Sequence, residues 1–163
     1  MPSQQSVEPN NREIERKYLL SALPERVAGV RCVEVDQGYL PGHRINERIR
    51  RVKNSAGELT YVRTIKAGSG LERIEIEEEA PREFFEAVWP LTRGARVHKR
   101  RYYVPEGDVV WEIDEFLDRP GLWLAEVELE SIDQHVKIPE WLQPAVEREV
   151  TDEREYTNRA LAR

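Results

Sequence analysis

The chain has 163 residues and a formal net charge of −6; 34% of its residues are charged and 39% are hydrophobic. That length suits one domain with one sizeable core, and the acidic balance argues against a nucleic-acid partner, whose phosphates need a basic face. The single cysteine, Cys32, excludes an internal disulfide framework and fits a reducing, cytoplasmic setting, while no apolar run approaches a membrane span and Met1–Asn11 carries no signal-peptide pattern.

Residues 1–11, MPSQQSVEPNN, read as a flexible polar tail, and 12–163 as a single domain. After the tail the dominant period is two, the strand period. Eight strands are expected in chain order, at about 12–20, 31–40, 45–53, 58–67, 71–80, 96–104, 108–117 and 122–132. The links carry turn chemistry: Asn54-Ser55-Ala56-Gly57, Gly68-Ser69-Gly70, Pro105-Glu106-Gly107 and Asp118-Arg119-Pro120-Gly121. Short hairpin links imply antiparallel neighbours. Helices are few. Pro81 can open one with Phe84, Phe85, Val88 and Trp89 on one face, Pro139 a second with Trp141, Leu142 and Val146, and a third is expected at about 154–162.

Within the strands the alternation places charge where a core would normally lie. Glu13, Glu15, Lys17, Arg48, Arg50, Lys66, Glu75, Glu77, Lys99, Arg101, Glu112, Asp114, Glu126 and Glu128 share one face, with Ile14, Ile49, Ile65, Ile76, Ile113 and Val127 on the other. One reading is a half-buried sheet with its charged face in water. Yet both signs recur at two-residue spacing on seven of the eight strands, which points instead to a closed eight-stranded barrel, mainly β in an α+β chain. The charged face would be inside, and the apolar face outside under the helices at 81–91 and 139–147 and the C-terminal segment. Dry burial of so many ions would cost several kcal/mol apiece, so such a lumen must be wet and its charges must pair or meet a ligand. Cations alone would take any polyanion, and carboxylate pairs alone a divalent metal. Both together suit a polyphosphate complexed with Mg²⁺ or Mn²⁺.

The order of short segments along the chain resembles the CYTH domain, or triphosphate tunnel metalloenzyme, family in its short, single-domain bacterial form. The segments are E-I-E-R-K (13–17), Q-G-Y-L (37–40), R-I-R-R (48–51), T-I-K (64–66), R-I-E-I-E-E-E (73–79), K-R-R-Y (99–102), W-E-I-D-E-F (111–116), A-E-V-E-L-E (125–130) and E-V-T-D-E-R-E-Y-T-N (149–158). The resemblance implies an antiparallel tunnel that binds triphosphate compounds and divalent metal. Carried over by position, Glu13, Glu15, Glu126 and Glu128 contribute to metal binding, and Lys17, Arg48, Arg50, Lys66, Lys99 and Arg101 hold phosphates. Glu13, Glu15, Lys17, Lys66 and Glu128 are the catalytic candidates; Glu75, Glu77, Glu112 and Asp114 line the tunnel in roles left open. His98 and Arg100 depart from the family pattern at positions expected to face outward.

The activity expected from the resemblance is metal-dependent hydrolysis of inorganic triphosphate to pyrophosphate and phosphate. The partner is then a triphosphate-containing small molecule, with no nucleic acid and no membrane, and a homodimer is compatible with all of this. Alternatives are hydrolysis of thiamine triphosphate or a nucleotide, with Trp111, Trp123, Trp141, Tyr39 and Tyr61 as candidate stacking groups, an adenylyl cyclase, or a polyphosphate-binding module without turnover. His43, His98 and His135 lack metal-ligand spacing, and Cys32 reads as a packed apolar residue.

Overall fold

The computed structural model describes residues 12–68 and 72–163. The expected N-terminal tail lies outside the described residues, as do Ser69 and Gly70 of one expected turn. Eight strands form an antiparallel barrel: β1 (Arg12–Leu20), β2 (Arg31–Tyr39), β3 (Asn46–Lys53), β4 (Leu59–Ala67), β5 (Glu72–Glu79), β6 (Arg96–Glu106), β7 (Val109–Phe116) and β8 (Trp123–Glu128). The order is β5-β4-β3-β2-β6-β7-β8-β1, and pairing of β1 with β5 at Arg12–Ile14 closes the ring. Closure removes the open edges that a sheet of this length would otherwise expose.

β1 has one edge shared between two partners. Its first three residues pair with β5, and its last three pair with a ninth strand, β9 (Val146–Glu149). The expected helix at 139–147 is therefore corrected. Pro139 opens hydrogen-bonded turns and a 3-10 turn at Gln143–Ala145, after which Val146 enters the ladder. Unpaired backbone at the end of β1 draws Val146-Glu147-Arg148-Glu149 into a strand that the local sequence does not favour. The expected C-terminal helix is reduced to a 3-10 turn at Arg154–Tyr156 and α2 (Asn158–Leu161), capped by the Thr157 hydroxyl accepting from the Ala160 amide. The Pro81 helix forms as α1 (Arg82–Val88). It packs on the outer face of β3 and β4, with Phe85 between Tyr61 and Trp89 at centroid separations of 5.1 and 5.0 Å.

The apolar outer face makes the main core. Ile14, Tyr18, Trp111, Ile113, Ala125 and Val127 are buried there under Leu142 and Ala145 from the 139–145 turns. The outer face of β5 stays bare, with Ile74 and Ile76 about half exposed, so Ile76 is not covered as the sequence pattern suggested.

A second core lies inside the barrel. Leu19, Val97, Phe116 and Leu124 follow the charged residues in the same inward phase, nearer one end of the lumen. They pack with Val150, Tyr156 and Leu161 of the C-terminal segment. Each fully buried side chain of this size contributes roughly 1.5–3 kcal/mol. The C-terminal segment is thus an internal stopper, not the outer cover expected. On β2, Val33, Val35, Gln37 and Tyr39 form the lumen face, in register with Arg101, Lys99 and Val97 of β6, and Arg31, in the same phase at the start of the strand, lies over the Tyr103 ring.

Candidate active site

The antiparallel registers set inward residues side by side. Glu15 stands across from Glu128 and Lys17 from Glu126 on β1–β8. Glu13 faces Arg73, Lys66 faces Glu75, and Arg101 faces Asp114. These walls enclose a cavity of about 750 Å³. All the inward charged residues expected from the sequence line it except Lys99 and Asp114, which lie deeper, 1% and 0% exposed.

The lumen ions other than Glu128 satisfy one another. Lys66 Nζ is 2.9 Å from Glu13, Lys17 Nζ is 3.0 Å from Glu126, Arg50 is 2.7 Å from Glu77, and Arg48 is 3.6 Å from Glu75. Arg73 pairs with Glu15, and Arg101 with Glu112 and Glu126. Below them Asp114 accepts two hydrogen bonds from Arg101, both 2.7 Å, and one of 2.7 Å from Lys99 Nζ. Lys99 also donates to Asn158 Oδ1 at 3.0 Å, so it ties the wall to the C-terminal stopper. Burial, with Arg101 beside it, pulls the Lys99 ammonium down to about 8 against the attraction of Asp114.

Two groups on the wall, Arg50 and Glu128, are crowded by like charge. Burial, then the like charges of Arg48 and Arg101, pull Arg50 down to about 10. On β1 and β8, burial and the nearby Glu13 and Glu15 raise the Glu128 carboxyl above its usual range. Among the described residues the Glu128 carboxyl has no ion pair and no hydrogen bond. Burial and a hydrogen bond shared with Glu13 push Glu75 up to about 7. By contrast Glu126, although buried, is held well below the carboxylate range by Lys17 and Arg101.

Several lining residues were missed from the sequence. Arg73 has the same phase as Glu75 and Glu77, so two-residue spacing carried its signal. Tyr103 also lines the cavity, as do residues 151–154 and 157–160, including Arg154 and Arg159; Tyr39, expected as a candidate stacking group, lines it too. His98 and Arg100 do face outward, where His98 Nδ1 lies 2.8 Å from Asp36 and Arg100 pairs with Glu34 at 3.2 Å.

The chain matches the CYTH domain over residues 11–163. It belongs to the CYTH family. It is 37% identical over 157 residues to an inorganic triphosphatase of Nitrosomonas europaea, covering 92% of this chain and 96% of that protein. It is 33% identical over 154 residues to an inorganic triphosphatase of Acetivibrio thermocellus, covering 93% and 94%. A crystal structure of an inorganic triphosphatase superposes with a TM-score of 0.61 at 34% identity, covering 92% of this chain and 93% of that one. A Pyrococcus furiosus protein shares the fold, with a TM-score of 0.56 over 74% of this chain and 80% of its own.

CYTH membership implies a divalent metal, and the donors fit a hard cation: among the described residues the lumen offers carboxylate oxygens and no thiolate or imidazole. Among the described residues no three acidic, His or Cys side chains converge into a ready-made cage. Glu13 and Glu15 are occupied by Lys66 and Arg73, whereas Glu128 is in surplus.

The shared proton of Glu13 and Glu75 gives the CYTH barrel a pH dependence. A carboxyl raised in the native state binds more protons than in the unfolded chain between its ordinary pKa and about 7. Its contribution to stability is therefore lost as pH rises through that window. In the absence of divalent cations, Glu75→Gln should gain on the order of 1–2 kcal/mol over the parent between pH 5 and pH 8. Urea denaturation at both pH values measures it, and a constant difference would remove Glu75 as the titrating group.

Proposed function

We propose that this CYTH barrel hydrolyses inorganic triphosphate to pyrophosphate and phosphate, using Mg²⁺ or Mn²⁺. The observation that carries this reading is one cavity lined by both signs of charge, Arg48, Arg50 and Arg101 beside Glu13, Glu15 and Glu128, in which Arg50 is crowded by like cations and Glu128 by like carboxylates. A metal-complexed polyphosphate relieves both at once. Its oxygens replace carboxylates as partners of the guanidinium groups, and the freed carboxylates turn to the metal, so the exchange conserves charge pairing.

Lys17, Arg48, Arg50, Lys66 and Arg101 hold the phosphate chain. Lys99 acts from below through Asp114, which fixes the angle of the Arg101 fork. Glu13, Glu15 and Glu128 hold the metal, with Glu126 as the fourth carboxylate beside them. When bound, the metal neutralises charge developing on phosphate oxygens. Phosphoryl transfer asks mainly for positioning and charge neutralisation, and this wall supplies both. Two groups have proton affinities moved toward neutrality. Burial and Arg48 lower Lys66, while burial and its acidic neighbours raise Glu128, which suits them to proton transfer at the leaving and attacking oxygens.

The inorganic substrate is favoured over a nucleotide or thiamine ester because the described residues offer the lumen no free aromatic platform. Trp111 and Trp123 pack in the outer core, Trp141 donates to Glu106, and Tyr61 packs on Phe85. Tyr39 and Tyr103 line the cavity, but arginines already cover their rings. Phosphate release from tripolyphosphate, ATP and thiamine triphosphate, each with Mg²⁺ and with Mn²⁺, tests the reading. Turnover should be greatest on tripolyphosphate and absent under chelation. Tight tripolyphosphate binding with no phosphate released under either metal would make the barrel a binding module instead.

A further inference from the structure

The C-terminal stopper carries a cation that the expected phosphate wall does not include. Arg159 belongs to α2 and lines the cavity. Its guanidinium lies 5.4 Å from the centre of the Tyr39 ring, and Tyr39 is directly across the β2–β3 ladder from Arg48. One terminal nitrogen, Nη2, donates to the Gly42 carbonyl at 3.3 Å, which ties the stopper to the β2–β3 loop. The other, Nη1, is buried and has no hydrogen-bond partner. Among the described residues no carboxylate pairs with Arg159, unlike Arg48, Arg50, Arg73 and Arg101, each of which holds at least one. Arg154, on the same segment and also lining the cavity, is exposed and has no ion pair among the described residues.

A buried guanidinium donor left unpaired carries a desolvation cost that an anionic oxygen would remove. We propose that Arg159 is a substrate-binding residue that receives a terminal phosphate of the chain, at the end of a row running from Arg101 and Arg50 through Arg48. This rests on the polyphosphate reading above and adds a preference to it. Arg159 recognises an open chain end, whose phosphate bears an extra ionisable oxygen, over a phosphate inside a ring or chain. A guanidinium forks onto two oxygens of one phosphate, and a terminal group offers them without hindrance.

Linear tripolyphosphate and cyclic trimetaphosphate separate this contact from general attraction, because the ring has no terminal phosphate. Thermal shifts with each, without divalent metal, are compared in the parent, Arg159→Met and Arg159→Lys. In the Met variant the shift from linear tripolyphosphate should shrink and that from trimetaphosphate should stay the same; Lys should restore part of the difference. With Mg²⁺, Arg159→Met should raise KM for tripolyphosphate about tenfold or more with a smaller change in kcat. Arg159→Gln, which keeps a donor for Gly42, gives the same comparison if the Met variant does not fold. Equal losses with both anions, or no loss with either, overturn the proposal. If the parent releases no phosphate from tripolyphosphate, the hydrolytic reading falls alone, and the metal-free shifts still decide the role of Arg159.

Discussion

Asp114→Ala should destabilise the barrel by about 3–5 kcal/mol, the cost of stripping one partner from a buried ion pair. Asp114 is fully buried and accepts three hydrogen bonds, two from Arg101 and one from Lys99. Its removal leaves the Lys99 ammonium with Asn158 Oδ1 as its remaining close partner. Burial already depresses that ammonium to about 8, so without Asp114 it should shed its proton near neutral pH. Arg101 cannot do so, but it keeps Glu112 and Glu126. The double variant Asp114→Leu/Lys99→Met should recover part of the loss, since an apolar pair of similar volume avoids both desolvation costs. Urea midpoints for the single and double variants measure this. A single variant within 1 kcal/mol of the parent would mean that water reaches the site and that the floor of the lumen is not dry.

Asp114 and Lys99 also mark where reading the sequence stops short. Alternation assigns a side chain to a face of a strand and says nothing of its depth along the barrel axis. Phase puts Lys99 and Arg101 on one wall, and both are there. Depth is decided by the C-terminal segment, which fills one end and separates Lys99 from the cavity that Arg101 lines. The inner apolar core gave a signal of its own: Leu19, Val97, Phe116 and Leu124 continue the charged phase as hydrophobic residues at one end of four strands. Alternation extended to the ends of those strands would have marked a closed end.

The strands themselves were legible because each carries a period of two with turn residues between; Gly57, Gly107 and Gly121 have positive φ in those links. β9 was not legible, for a physical reason. Four residues after a proline-opened turn carry the apolar spacing of a short helix, and only the vacant edge of β1 makes them a strand. Secondary structure imposed by a distant partner is invisible to a local pattern.

The charged wall should trade stability for activity, and Arg50→Ala shows it most clearly. Loss of a donor placed on developing phosphate charge costs about 10²–10³ in kcat/KM. The unliganded protein should nevertheless not lose stability, and should gain slightly. Arg50 sits in a cavity wall where burial and the like charges of Arg48 and Arg101 lower its pKa to about 10, and among the described residues Glu77 is its one close carboxylate. A cation whose native pKa lies below its unfolded value weakens the fold while it stays charged. Glu77 is not orphaned by the change, because Thr64 Oγ1 donates to it at 3.1 Å and Arg48 lies 3.9 Å away. Glu128→Gln is the mirror case on the acidic wall: its raised carboxyl predicts a more stable unliganded barrel at neutral pH and weaker dependence on divalent metal. Melting temperatures without ligand, set beside kcat/KM on tripolyphosphate, test both. If Arg50→Ala kept full activity, or melted well below the parent, the crowded guanidinium groups would be a structural device and not a seat prepared for phosphate.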